Sequence, residues 1–140
     1  MSDERVFIDT NILVYAYDLS AGTKHQKAAT MIEQLWSSMQ GVLSTQVLQE
    51  FIVTVAVKIP RPMKTAQIRE IVSDLLKWDV VVNDGQAVLE AFDLQQGLQT
   101  SFWDALIIHA ALKSGANILY SEDLSHGRKV KGLRIENPLL

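Results

Sequence analysis

The sequence predicts a single α/β domain with a central, mainly parallel β-sheet of four to five strands and helices on both faces. Three observations predict it. Short apolar runs of strand character alternate along the chain with longer segments of helical period. No internal repeat, low-complexity tract or Pro/Gly/Ser-rich linker divides the 140 residues, so residues 1–140 read as one domain. The composition, 48% apolar and 21% charged, is that of an ordinary globular protein. A chain of this length buries roughly two thirds of its unfolded surface and needs no covalent staples.

The elements follow in order. Arg5 to Ile8 reads as a first strand ending at Asp9. Lys24 to Ser38 reads as a helix, with Ala28, Met31, Ile32, Leu35 and Trp36 at three- and four-residue spacing. Gly41 to Ser44 is a short strand, and Thr45 to Lys58 a helix stopped by Pro60 and Pro62. A helix from about Thr65 to Lys77 leads into a strand over Asp79 to Val82. Asn83 reads as the N-cap of the next helix, which runs to about Gln96, with Gln86 completing a capping box. Ser101 opens a helix through Lys113 that Gly115 closes. Asn117 to Tyr120 is a strand, and Leu133 to Glu136 a candidate last one.

Several function classes are disfavoured. There is no cysteine, which excludes disulfides and thiolate metal sites and suits a reducing cytoplasm. The acidic start Ser2-Asp3-Glu4, followed by the brief apolar run Val6 to Ile8, is unlike a signal peptide. The apolar segments Phe51 to Val57 and Ala105 to Leu112 fall well short of the ~18 residues a membrane span requires. The protein is therefore read as soluble and cytoplasmic. A net charge of −3 counts against nonspecific nucleic-acid binding, unless acidic groups gather at a metal site and basic ones rim it. The segment from His126 to Arg134 and the group Arg61, Lys64 and Arg69 are candidates for such a rim; each is equally a solvated surface.

In parallel α/β sheets, ligands sit outside the carboxyl ends of the strands, so polar residues just after a strand are the first candidates for function. Asp9-Thr10-Asn11 follows the first strand directly, and its plain alternative is an N-cap for a helix over Ile12 to Tyr15. Ser121-Glu122-Asp123 follows the strand ending at Tyr120, with a polar turn as the alternative. Asp104 sits on a helix that is apolar nearly all round, where a carboxylate loses hydration. It could instead complete a capping box with Ser101, and no Lys or Arg lies within eight residues of it. Glu50 is the only ionisable residue between Gln46 and Val57, on a helix rich in Val, Leu, Ile and Phe; an exposed polar face would also explain it. Should these four carboxylates converge, they cannot all ionise without cations between them. Hard oxygen ligands suit Mg²⁺ or Mn²⁺, and the scarcity of histidine disfavours zinc.

The ordered set resembles the PIN-domain nucleases, in particular the VapC-like ribonuclease toxins of toxin–antitoxin pairs. The opening strand with Asp9-Thr10-Asn11-Ile12-Leu13, then Leu48-Gln49-Glu50-Phe51, Phe102-Trp103-Asp104-Ala105-Leu106 and Ser121-Glu122-Asp123-Leu124 fall in family order, and Ile135-Glu136-Asn137-Pro138 is similar to the family's closing strand. The resemblance covers essentially the whole chain. It implies that Asp9, Glu50, Asp104 and Asp123 are catalytic and metal-ligating, with Thr10, Asn11 and Ser121 orienting carboxylates, water or phosphate. It further implies divalent-metal-dependent endoribonuclease activity with Mg²⁺ or Mn²⁺, an RNA substrate, a homodimer and a cognate antitoxin. Glu122 is set aside in favour of Asp123, because Ser121 then holds the hydroxyl position two residues before it. Asp18 and His109 carry no assigned role.

Attack by an activated water predicts a 5′-phosphate and a 3′-hydroxyl product. Two other readings compete. A phospho-aspartate at Asp9 needs a second nearby acid, which Asp9-Thr10-Asn11 lacks. A non-catalytic RNA- or protein-binding module on a nuclease-like scaffold is the alternative outside enzymology, and EDTA-sensitive cleavage of mixed RNA separates it from a nuclease.

Overall fold

The computed structural model describes residues 4–140; Ser2 and Asp3 of the acidic start lie outside the described residues. Five strands run parallel, in the order β3 (Asp79–Val81), β2 (Gly41–Ser44), β1 (Val6–Ile8), β4 (Ile118–Tyr120) and β6 (Leu133–Glu136). A sixth, β5 (Lys129–Val130), pairs antiparallel with β6 at the edge. β1 and β2 are buried throughout, with Val6–Ile8 and the pair Val42 and Leu43 as their apolar runs, as in central parallel strands covered on both faces. Phe7, Ile8, Val42, Leu43 and Leu119 are core residues of this sheet.

The helices are α1 (Thr10–Tyr17), α2 (Thr23–Ser38), α3 (Thr45–Val53), α4 (Thr65–Leu75), α5 (Gly85–Gly97) and α6 (Phe102–Lys113). α1 to α4 connect the strands on the way out from β1 through β2 to β3. The chain then returns through α5 and α6 to β4, on the other side of β1. Right-handed crossovers running in opposite directions put the two helix sets on opposite faces. The connections leaving β1 and β4 therefore diverge, and the crevice between their carboxyl ends is the switch point of the sheet.

Local chemistry explains the boundaries. Ser44 caps α3 by accepting a hydrogen bond from the Val47 amide, and Ser101 caps α6 by accepting one from the Asp104 amide. Gly115, at a φ of 76°, ends α6 in a Schellman turn: its amide donates to the Leu112 carbonyl and the Ala116 amide to that of Ala111.

Two expectations are corrected and a third feature is new. The N-cap of α5 is Asp84, whose carboxylate accepts from the Ala87 amide, rather than Asn83; the Asn83 amide is tied to Thr45 Oγ1, and Gln86 pairs with Glu90. Thr45 to Lys58 is not one helix, because α3 widens at Thr54–Lys58 into a π-turn. β-branched Val53, Thr54, Val55 and Val57 crowd this last stretch before Pro60. The third is the hairpin of β5 and β6, which the sequence reading does not anticipate. Its two-residue loop, Lys131-Gly132, has positive φ at both positions, the I′ geometry that suits twisted strands.

Candidate active site

The carboxyl ends of β1 and β4 meet where the sequence reading expects a ligand. Asp9 leaves β1, its amide donates to the Tyr120 carbonyl of β4, and the residue is 8% exposed. One Asp9 carboxylate oxygen accepts from the Thr10 amide at 2.7 Å, and the other from Ser121 Oγ at 2.8 Å. The N-cap alternative is thus correct as geometry. It does not exhaust the residue, since Asp9 also faces an open cleft of about 660 Å³.

Asp9, Glu50, Asp104 and Asp123 all line that cleft. Glu50 accepts a hydrogen bond from Thr10 Oγ1 at 2.6 Å, and Asp104 one from Thr100 Oγ1 at 3.3 Å. Asp123 is exposed and holds no side-chain partner among the described residues. None of the four is in an ion pair with a Lys, Arg or His among the described residues. Burial pushes the Asp9 carboxyl up to about 6; the bonds from Ser121 and Thr10 oppose the shift, while the nearby charges of Glu50 and Asp104 add to it.

Among the described residues no three carboxylates or imidazoles are gathered closely enough to hold a metal ion between them. The donor set instead fits an ion of the Mg²⁺ class. Such ions take one or two carboxylates directly and retain several waters, so spaced oxygens around an open cleft suffice. The unbalanced charge and the raised Asp9 carboxyl are what a cation would relieve.

The flanking polar residues divide in role. Thr10 and Ser121 hold carboxylates directly, whereas Asn11 Oδ1 accepts from the Glu122 amide at 3.4 Å and steadies the loop after β4. Glu122 turns away from the other acids. It accepts from Tyr15 Oη and from Lys24 Nζ, each at 2.6 Å, and so ties that loop to α1 and α2. Asp104 is half-buried, so it retains more contact with water than its apolar helix implies. Its side chain does not reach back to Ser101, and the capping box is only half formed.

The cleft has further walls that sequence reasoning left unassigned. Asp18 is a buried fifth carboxylate, bonded to the Ser20 amide and hydroxyl. Lys58 is the cleft's basic residue among those described, while Arg134, from the proposed basic rim, pairs with Glu4 and Glu136. Trp103 and Gln46 complete this side. Helical spacing was the available signal. Asn11, Tyr15 and Asp18 lie on one stripe of α1, and Gln46, Gln49, Glu50 and Val53 on one stripe of α3. His109, outside the cleft, bonds to Glu90 at 2.8 Å between α5 and α6.

The PIN domain profile matches residues 6–131, and the chain belongs to that family. A search of the curated proteins found no match. Among solved structures, the chain is similar to the sarcin–ricin loop cleaving toxin VapC20 of Mycobacterium tuberculosis, with 19% identity, TM-score 0.63, and 84% of this chain and 89% of that one covered. It is also similar to a toxin–antitoxin complex from Klebsiella pneumoniae, with 21% identity, TM-score 0.68 and coverage of 95% and 97%. A third is DNA-bound VapBC from Salmonella typhimurium, with 18% identity, TM-score 0.65 and coverage of 96% and 98%. At these identities the likeness is one of fold. Among the described residues, no helix is long and apolar enough to cross a membrane.

Proposed function

We propose that this PIN-domain protein is a divalent-metal-dependent endoribonuclease and the toxin of a type II toxin–antitoxin pair. The observation that carries the chemistry is one cleft whose lining includes Asp9, Glu50, Asp104 and Asp123, none of them paired by a basic side chain among the described residues. Asp9, Asp104, Asp123 and Glu50 are the residues that would hold Mg²⁺ or Mn²⁺, which when bound supplies an acidified water and offsets charge at the phosphodiester.

The protein's own groups do the rest. Ser121 Oγ and the Thr10 amide fix the Asp9 carboxylate in one orientation. Thr10 Oγ1 occupies Glu50 Oε1, which leaves Oε2 to accept the proton of the attacking water. The loop held by Glu122, Tyr15 and Lys24 carries Asp123 at the cleft mouth.

The toxin role, a cognate antitoxin and a homodimer rest on likeness to the VapC and VapBC structures. A cytoplasmic location agrees with the absence of cysteine. Exposed Val53, Val57 and Leu76 offer apolar area for association.

A metal-titrated cleavage assay on a mixed, structured RNA pool tests the chemistry. Cleavage should require Mg²⁺ or Mn²⁺, stop with EDTA and leave 5′-phosphate and 3′-hydroxyl ends. Cleavage that persists in EDTA, or 2′,3′-cyclic phosphate ends, contradicts the reading.

A further inference from the structure

The acidic cleft has an aromatic edge that the hydrolytic chemistry does not use. Trp103 directly precedes Asp104 and lines the same cleft, yet 62% of its surface is open to solvent. The other two tryptophans behave differently: Trp78 is buried, and Trp36 packs edge-on against it with ring centroids 5.4 Å apart. A tryptophan usually hides most of its large apolar area, so one left open beside reactive groups calls for a function.

Its setting is a rigid one. The Trp103 ring meets Phe102 edge-on, with centroids 5.5 Å apart at 75°. Its backbone carbonyl accepts a hydrogen bond from Gln46 Nε2 of α3 at 3.3 Å. Gln46 is itself buried on the cleft wall, with its Oε1 unpaired among the described residues. The exposed amide of Gln49 and the ammonium of Lys58 line the same cleft. An aromatic face, one exposed amide that can read a base edge and one cation therefore surround the carboxylates.

We propose that Trp103 is a stacking platform for an unpaired base of the RNA, next to the phosphodiester that is cut. This deepens the ribonuclease reading and rests on it. Stacking needs a free base face, which a nucleotide inside a duplex does not offer. The adjacency of Trp103 to Asp104 favours a base over a polypeptide, because a strand whose phosphate sits at the acids has its neighbouring base within one nucleotide of the ring.

The test is a titration of a mixed-sequence, single-stranded RNA dodecamer against the full chain in Ca²⁺, read by tryptophan fluorescence. The same dodecamer annealed to its complement is the control. Buried Trp78 and its neighbour Trp36 give a constant background, so stacking on Trp103 should appear as quenching with the single strand and not with the duplex. With affinities read by anisotropy of a 5′-fluorescein-labelled dodecamer, since the variants lack the reporting ring, W103A should weaken single-strand binding roughly tenfold, W103F should restore most of it, and both should melt with the wild type. Equal affinity of W103A and wild type, or equal quenching by duplex and single strand, overturns the proposal. W103A that binds RNA normally but fails to bind a protein inhibitor of the wild type also overturns it and assigns the surface to that polypeptide. Wild-type protein that neither binds nor cleaves RNA sinks the ribonuclease reading as well; wild-type cleavage with unchanged W103A affinity sinks the platform alone.

Discussion

At the residue scale, Asp9 carries two duties that pull against each other. It caps α1 and holds β1 against the loop after β4, yet it is a carboxylate buried beside two others. Its carboxyl titrates at about 6 in the fold against 3.8 for the free side chain, so between those values the folded chain holds the extra proton. Stability of the metal-free protein should therefore fall as pH rises from about 4 to 7, by up to about 3 kcal/mol from this group. Asp9→Asn keeps a capping oxygen and removes the charge. We expect it to melt higher than the wild type at pH 7, to lose the pH slope and to lose cleavage; melting curves across pH in EDTA, beside the cleavage assay, check all three. Asp9 was legible in the sequence because an acid directly after a strand is conspicuous. Trp103 was not, since nothing in one sequence distinguishes an open tryptophan from a core one.

At the element scale, caps and strands were readable where a single residue decides the backbone, as at Ser101 and Gly115. The expectation failed where two neighbours compete, as Asn83 and Asp84 do for the start of α5. It also failed where geometry depends on crowding along the helix, as in the π-turn over Thr54–Lys58. That wide turn matters to the cleft, because Thr54 and Lys58 line it. Gly41, which opens β2, shows a constraint invisible in sequence. A Cβ there would collide with the Trp78 ring, which is itself wedged against Trp36. Gly41→Ala should cost about 1–3 kcal/mol through overpacking. Urea unfolding should show a lower midpoint with an unchanged slope, and a midpoint equal to that of the wild type would contradict the packing account.

At the scale of the whole molecule, sheet order assembles the cleft. Because the chain leaves β1 in one direction and β4 in the other, residues as distant as Asp9 and Ser121 come within hydrogen-bond range. α3 and α6 then bring Glu50 and Asp104 to the same opening. The alternation of strands and helices made this arrangement predictable, since parallel sheets bind at their switch points. The short β5–β6 hairpin lay beyond that rule, for its paired strand is two residues long and its turn is Lys131-Gly132 rather than the commoner Asn-Gly. The proposed function requires these four carboxylates to bind divalent metal together. Calorimetric titration of Mn²⁺ into the full chain tests it most directly. The account predicts saturable uptake by the wild type that is lost in Asp9→Asn and in Asp104→Asn, both still folded; no uptake by the wild type, or equal uptake by all three, contradicts it.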